Sequence, residues 1–472
     1  MLKLYNTASR KVEKFKPLSG VVKIYTCGPT VYSEAHIGNL TAYIYWDLLI
    51  RVLKANGFSV KRVLNFTDVG HLTSDEDDGE DKMEKGAARE GRTVWEVADN
   101  YIGKFMQDFR SLELVEPEVL ARATDYIDED KQAVDLMTEH GFTYETRDGV
   151  YYDTSKFAEY ADFARLDLSG LQAGARVEFS DEKRNASDFA VWKFIQPGEK
   201  HAMRWDYLGR PGYPGWHLEC STIIHKELGE PIDIHTGGID HVPVHHTNEI
   251  AETYAAYGGK LARTWLHCNF ITIDGEKISK SLGNVYSLSE LRERGFSAMD
   301  YKMWVLSGHY QGTRNFTFES LEAAKQRRLH WRNRIAACYQ PENHGRVVSP
   351  EGAPRPQPCE DGGGGDDRTR PEVLKSVLET VNCNLNSPEA FAVIDNSELT
   401  LEDWQKVDEL FGLKLIEDTP DVDDGVRGLI AKRTAAREAK DWAEADRLRD
   451  ELASHNIAVK DTPTGPVWEY LN

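Results

Sequence analysis

The sequence has no CxxC pair, no apolar run long enough to cross a membrane and no excess of positive charge. Each absence removes a class of protein. Its six cysteines, Cys27, Cys220, Cys268, Cys338, Cys359 and Cys383, are scattered along 472 residues. That spread argues against a disulfide framework or a zinc finger and for a reduced, cytoplasmic chain. The N-terminus, MLKLYNTASRKVEKF, lacks the apolar segment of a secretory signal. No stretch approaches the roughly 18 apolar residues of a membrane span, so no membrane association is expected. The net charge is −21, opposite in sign to that of a protein that coats phosphates, so any RNA contact must come from local basic surfaces. With 40% hydrophobic and 29% charged residues the chain reads as globular. Its length suggests roughly three to four domains.

What is present concentrates in residues 216–249, WHLECSTIIHKELGEPIDIHTGGIDHVPVHHTNE. His245 and Glu249 stand at i and i+4, so on a helix both point from one face at one ion. Cys220 lies upstream and Cys27 far back in the chain. Two thiolates, an imidazole and a carboxylate suit Zn²⁺, provided that the fold brings them together. On the motif alone, a set of unrelated surface histidines and one core cysteine remains an equal alternative.

Taken in order, VVKIYTCG (21–28) reads as a buried strand running into a turn. LTAYIYWDLLIRVLKANG reads as an amphipathic helix ended by Gly57, and VKRVLNF (60–66) as a second strand. Strand, loop, helix and strand make a βαβ unit and hence a parallel sheet, whose loop-to-helix junction is where such folds bind nucleotide phosphates. His36, Gly38 and Asn39 occupy that junction. The acidic run 74–81 lacks the calcium-loop pattern and reads as a solvated loop. From about 115 to 200 the alternation is interrupted, as by an inserted domain. Lys277-Ile278-Ser279-Lys280-Ser281 sits between a strand and a Gly-Asn turn, where two ammonium groups can clamp a developing phosphate charge. Residues 318–420 are helical around a Pro-, Gly- and Asp-rich linker, 349–370. The tail reads as a basic helix carrying Trp442, able to stack on bases, followed by a strand pair.

These motifs together resemble class I aminoacyl-tRNA synthetases, whose paired signatures are similar to His36–Asn39 and Lys277–Ser281. TCGPTVY, GWHLECS, HTGGID and HHTNE resemble the cysteinyl-tRNA synthetase family in particular, as do DGVYYD, DFAVWK and the tail segment AREAKDWAEADRLRDEL. Asn39 stands where the first signature usually ends in His, and Ile278 where the second has Met. An amide still donates a hydrogen bond but carries no titratable proton. The resemblance implies an α/β fold: a Rossmann-like doubly wound parallel sheet with an inserted domain, then a helical bundle and a small C-terminal anticodon-binding domain. The expected boundaries are 1–114 and 201–260 for the two halves of the catalytic sheet and 115–200 for the insertion. They continue with 261–317 for a stem-contact region bearing the KISKS loop, 318–420 for the bundle and 421–472 for the anticodon unit.

Carried over residue by residue, the resemblance implies one zinc ion on Cys27, Cys220, His245 and Glu249, and Mg²⁺ accompanying ATP. His36, Asn39, Lys277 and Lys280 would be catalytic. Gly38, Gly237, Gly238 and Asp240 would hold ATP and adenylate with them, and Thr67, Trp216 and His235 would form the cysteine pocket. Arg437, Trp442, Asp446 and Arg449 would meet the anticodon. The implied partners are ATP, L-cysteine and tRNA(Cys), and the implied state a monomer. The implied reaction joins cysteine to tRNA through cysteinyl-adenylate, zinc selecting the substrate thiolate. Two rivals are a ligase joining cysteine to an amino-sugar, as in mycothiol synthesis, and an inactive RNA-binding paralogue.

Overall fold

A computed structural model describes residues 1–69, 82–167, 182–199, 201–279, 282–340 and 370–471. The acidic run 74–81, Lys280 and almost all of the linker 349–370 therefore lie outside the described residues. Five strands form one parallel sheet in the spatial order Ala262–Cys268, Ile232–Gly238, Val21–Thr26, Ser59–Phe66, Val119–Arg122. Counted along the chain this is fifth, fourth, first, second, third, a doubly wound arrangement as the sequence implies. The strand order reverses between Val21–Thr26 and Ile232–Gly238, and such sheets take their ligands at the carboxyl ends on either side of that point. Both strands are almost wholly buried beyond their first residues. Their burial reflects a sheet covered on both faces, and in Ile232–Gly238 it extends to Asp233, His235 and Thr236.

Helix Ile37–Ala55 follows the first strand, capped by His36, whose Nδ1 accepts from Asn39 N at 3.3 Å while His36 N donates to Asn39 Oδ1 at 3.1 Å. Asn39 thus closes a reciprocal capping box in which neither side chain is acidic. Helices Leu218–Glu227 and His245–Tyr257 flank the fourth strand on either side in the chain.

The expected domain boundaries shift at three places. Val119–Arg122 pairs with Ser59–Phe66, so the parallel sheet continues past 114. Trp205–Tyr207 and Arg210–Pro214 complete a five-stranded antiparallel sheet with Thr143–Glu145, Gly149–Tyr152 and Phe189–Phe194, so the insertion runs to 214 rather than 200. Ala262–Cys268 is the outer strand of the parallel sheet, so the sheet runs on past 260. The first two fall at Val119–Arg122 and Trp205–Tyr207, strands of four and three residues, too short to show a period-two alternation.

The tail holds two helices, Asp424–Glu438 and Trp442–Ser454, where the periodicity suggests one. Lys440 takes a left-handed conformation at φ 59° and Asp441 caps the second helix, accepting from Glu444 N at 3.1 Å. The strand pair Ile457–Thr462 and Gly465–Tyr470 follows. It hangs on helix Phe318–Cys338 and its end. Asn333 bonds both main-chain groups of Tyr470, at 3.2 and 2.8 Å, and Gln340 both those of Trp468, at 2.9 Å each.

The layers behind the site are tied by one buried carboxylate. Asp47 accepts from Lys302 Nζ, Arg51 Nε and Val115 N, each at 2.8 Å, and neither Asp47 nor Lys302 reaches solvent. Burial pulls the Lys302 ammonium down to about 8, and Asp47 offsets part of that. Asp47→Ala leaves this cation with main-chain carbonyls only. It should lower unfolding free energy by roughly 3–5 kcal/mol, seen as a clear fall in the midpoint of chemical or thermal unfolding.

Candidate active site and metal centre

Cys27 directly follows the first parallel strand and extends its pairing, Cys27 N donating to Thr236 O at 3.2 Å. Cys220 lies in the first turn of Leu218–Glu227, and His245 opens the helix on which Glu249 lies one turn later. These four residues come from three separate segments, and their donor atoms lie within 4.8 Å of one another. His245 Nε2 stands 3.0 Å from Glu249 Oε1 and 3.6 Å from Cys220 Sγ, and Cys27 Sγ lies 3.9 Å from Glu249 Oε1. All four are buried. A mixed thiol, imidazole and carboxylate set at this separation fits a tetrahedral zinc ion, each residue offering one donor.

The surrounding groups hold these donors in orientation. His217 Nδ1 meets His245 Nδ1 at 2.8 Å, which leaves Nε2 for the centre. His235 Nε2 meets Glu249 Oε2 at 2.6 Å, which leaves Oε1. His246 Nε2 lies 3.3 Å from Cys27 Sγ, and its Nδ1 bonds His267 at 2.7 Å. Burial alone would raise the Glu249 carboxyl, but the imidazoles of His235, His245 and His246 drive it down to about 2. Burial would likewise raise Cys27. Its hydrogen bond with Cys220 and the imidazoles of His246 and His235 take it well below the usual thiol range. Burial, then Cys27 and Glu249, push Cys220 the other way.

Sequence reasoning singles out His245 and Glu249 by their spacing but misses His217, His246 and His267. A His-His pair at 245–246 was the available signal, since residue 246 is also within reach of 249 at i, i+3. A second set, Cys27, His235, His246 and Glu249, is equally close-knit and shares two members with the first.

Lys280 lies outside the described residues; the other residues singled out from the sequence are placed as follows. Trp216 stacks on His245 with ring centroids 4.9 Å apart, and buried Thr67 donates its hydroxyl to Glu219. His235 stacks on Trp265 at 4.5 Å. Gly237 and Gly238 end the fourth strand. A Cβ on Gly237 would come within 2.7 Å of the His246 ring, so only glycine lets the strand pass there. Asp240 is exposed in the following turn. His36, Gly38 and Asn39 open the first helix. A Cβ on Gly38 would meet Ile278 Cδ1 at 2.6 Å, so the two signature segments touch. Lys277 is exposed on the short strand Glu276–Lys277, and Asn284 braces the loop beyond it, donating to Lys277 O at 3.1 Å and accepting from Ser279 N at 2.8 Å. In the tail, Trp442 is 57% exposed with the Arg437 guanidinium 5.6 Å from its ring centre, whereas Asp446 and Arg449 pair with each other at 3.0 Å.

A doubly wound sheet whose first helix start touches the Lys277–Ser279 segment is the architecture of class I aminoacyl-tRNA synthetases. The family described as tRNA synthetases class I (C) catalytic domain matches residues 14–326, and the cysteinyl-tRNA ligase anticodon binding domain matches residues 419–468. "Cysteine--tRNA ligase 1" of Burkholderia lata is 44% identical over 98% of this chain and 96% of its own length. "Cysteine--tRNA ligase" of Treponema denticola is 36% identical over the whole of both chains. The solved structure of Mycobacterium tuberculosis methionyl-tRNA synthetase in complex with methionyl-adenylate is similar in fold, with a TM-score of 0.58 at 14% identity over 84% of this chain and 89% of that one. The chain belongs to the cysteinyl-tRNA synthetase family. Among the described residues no helix is long and apolar enough to cross a membrane.

His217 bonds the outer ring nitrogen of His245. His217→Phe keeps the ring and its packing but removes that hydrogen bond. It should weaken zinc binding about 10- to 100-fold, read by competition with a chromogenic chelator.

Proposed function

We propose that the protein attaches L-cysteine to tRNA(Cys) using ATP, in two steps through a cysteinyl-adenylate. The cysteine carboxylate attacks the α-phosphorus of ATP, the bond to the β-phosphate oxygen breaks, and pyrophosphate leaves. The terminal ribose hydroxyl of the tRNA then attacks the acyl carbon and AMP leaves. Little covalent work falls to the protein, so positioning and electrostatic stabilisation dominate. His36 and Asn39 hold the phosphates from the free N–H end of the first helix, beside Gly38, where a side chain would intrude. Gly237, Gly238 and Asp240 take adenosine, while Thr67, Trp216 and His235 wall the amino-acid pocket. Lys277 and Lys280 offset the charge of the departing pyrophosphate, with Mg²⁺ accompanying the nucleotide.

Cysteine and serine differ by one atom, and an apolar pocket separates such near-isosteres by only about 10²-fold. Cys27, Cys220, His245 and Glu249 would hold a zinc ion, which would supply a Lewis acid suited to a substrate thiolate and poorly suited to a serine hydroxyl at neutral pH. The convergence of these four buried donors at the switch point of the sheet is the observation that carries the reading. The match of the tail to an anticodon-binding family supports tRNA rather than an amino-sugar as acceptor. A complete donor set beside the signature residues supports an active enzyme rather than an RNA-binding paralogue.

Cysteine-dependent exchange of pyrophosphate into ATP tests the first step. Cys220→Ala should lose the metal and raise the KM for cysteine at least tenfold, and an unaltered KM would refute the zinc assignment. Trp442 presents an exposed ring for an unpaired base, a contact of about 1–3 kcal/mol. Trp442→Ala should therefore raise the KM for tRNA in the charging assay, while exchange, which involves no tRNA, keeps its rate.

A further inference from the structure

The loop after the first strand is strapped to the end of the second at three points. Gly28 N donates to Asn65 Oδ1 at 2.7 Å, Thr67 N to Pro29 O at 3.1 Å and Val31 N to Thr67 O at 3.2 Å. The approach is close enough that a Cβ on Gly28 would fall 1.5 Å from Asn65 O. Both main-chain groups of Thr67 are thereby used, and only its side-chain hydroxyl is left to meet a ligand.

The direction of that hydroxyl is set by its neighbours. A main-chain N–H can only donate, so the bond from Gly28 fixes which end of the Asn65 amide is oxygen. The Nδ2 end then donates to Thr67 Oγ1 at 3.2 Å and to Glu219 Oε1 at 3.3 Å, and Thr67 Oγ1 donates to the same Glu219 oxygen. Glu219 Oε1 accepts from both, whichever form the second oxygen of its carboxyl takes. Asn65, Thr67 and Glu219 are all buried. A hydroxyl has one proton to give and two lone pairs to receive. In Thr67 the proton is committed to Glu219 and one lone pair to Asn65. One lone pair remains, so Thr67 meets a ligand as an acceptor. On an α-amino acid the ammonium is the group that donates, and the carboxylate cannot.

We propose that Glu219 is a positioning residue for the amino-acid site: by taking the Thr67 proton it holds that hydroxyl as an acceptor for the α-ammonium of the substrate. The inference rests on the reading of Thr67 as part of the cysteine pocket. Glu219 acts through Thr67 and touches neither cysteine nor ATP. Without it the hydroxyl proton is free to turn towards the substrate, where an ammonium cannot accept it. The effect therefore falls on ligands that carry an ammonium and not on nucleotide binding. Because Glu219 precedes Cys220, a member of the metal set, metal content is a separate readout in each variant.

Glu219→Met keeps the length of the side chain and removes the acceptor. In the zinc-loaded enzyme the KM for cysteine in the exchange assay should rise about ten- to a hundredfold, the scale of one hydrogen bond to a charged group. The KM for ATP and the zinc content should not change. Inhibition by 3-mercaptopropionate, which has the thiol and carboxylate of cysteine but no ammonium, should not weaken. Glu219→Gln offers the same acceptor oxygen to Asn65 and Thr67 and should recover most of the cysteine affinity. Combined with Thr67→Val, the methionine change should add nothing, because both act on one hydroxyl. Glu219→Ala, which leaves room for water, gives the same readouts should the methionine variant not fold. Equal losses in the Gln and Met variants overturn the proposal, as do weakened inhibition by 3-mercaptopropionate, a lowered zinc content or an additive double variant. Thr67→Val alone with an unchanged KM for cysteine overturns the pocket reading beneath it, a failure seen with Glu219 intact.

Discussion

The arrangement of the site depends on one carboxylate. Glu249 is wholly buried, and imidazoles from two elements enclose it: His235 of the fourth strand bonds Oε2, while His245 of its own helix stands 3.0 Å from Oε1, the oxygen left to the centre. An ionised carboxylate at such depth survives only where cationic or hydrogen-bonding groups enclose it. That requirement locks helix His245–Tyr257 onto the strand at the point where the sheet changes direction. Cys27 then arrives from the neighbouring strand with no further adjustment, since its own N–H continues the ladder to Thr236.

The acidic balance of the whole chain sits easily with an RNA substrate because the candidate contacts are few and local. Much of the basic surface is already engaged. Arg433 forms a two-pronged pair with Asp461 at 2.8 and 2.9 Å, and Arg437 reaches the same carboxylate at 3.1 Å. The Trp442 face stays outward, with the guanidinium of Arg437 beside it. Stacking on such a face needs little net charge.

The βαβ unit was legible because its two strands, Val21–Thr26 and Ser59–Phe66, are rich in β-branched residues and its helix is followed by a clear stop at Gly57. The i, i+4 spacing of His245 and Glu249 pointed to one face of a helix, and those two side chains do meet. Boundaries at the short strands Val119–Arg122 and Trp205–Tyr207 were not legible, since three or four residues carry no period and their membership of a sheet is decided by distant partners. The break at Lys440 escaped for a related reason: a non-glycine residue in the left-handed region leaves no mark in hydrophobic periodicity. His217 and His267 were illegible as supports, because a ring nitrogen's partner depends on tertiary packing. Asn39 is instructive in the opposite direction. It departs from the family's usual histidine, yet its short amide closes the cap on His36, which a propensity argument alone would not reveal.

Helix Phe318–Cys338 has 21 residues, which makes it about 32 Å long. It starts immediately after strand Arg314–Phe316, which pairs with Ile271–Ile273, the same strand that Glu276–Lys277 folds back upon. Near its far end Asn333 and Gln340 grip the final hairpin. A single stiff rod therefore joins the lysine-bearing hairpin to the C-terminal unit. A tilt of a few degrees at one end is a lateral displacement of an ångström or more at the other, a mechanical advantage contained in the covalent layout of the chain.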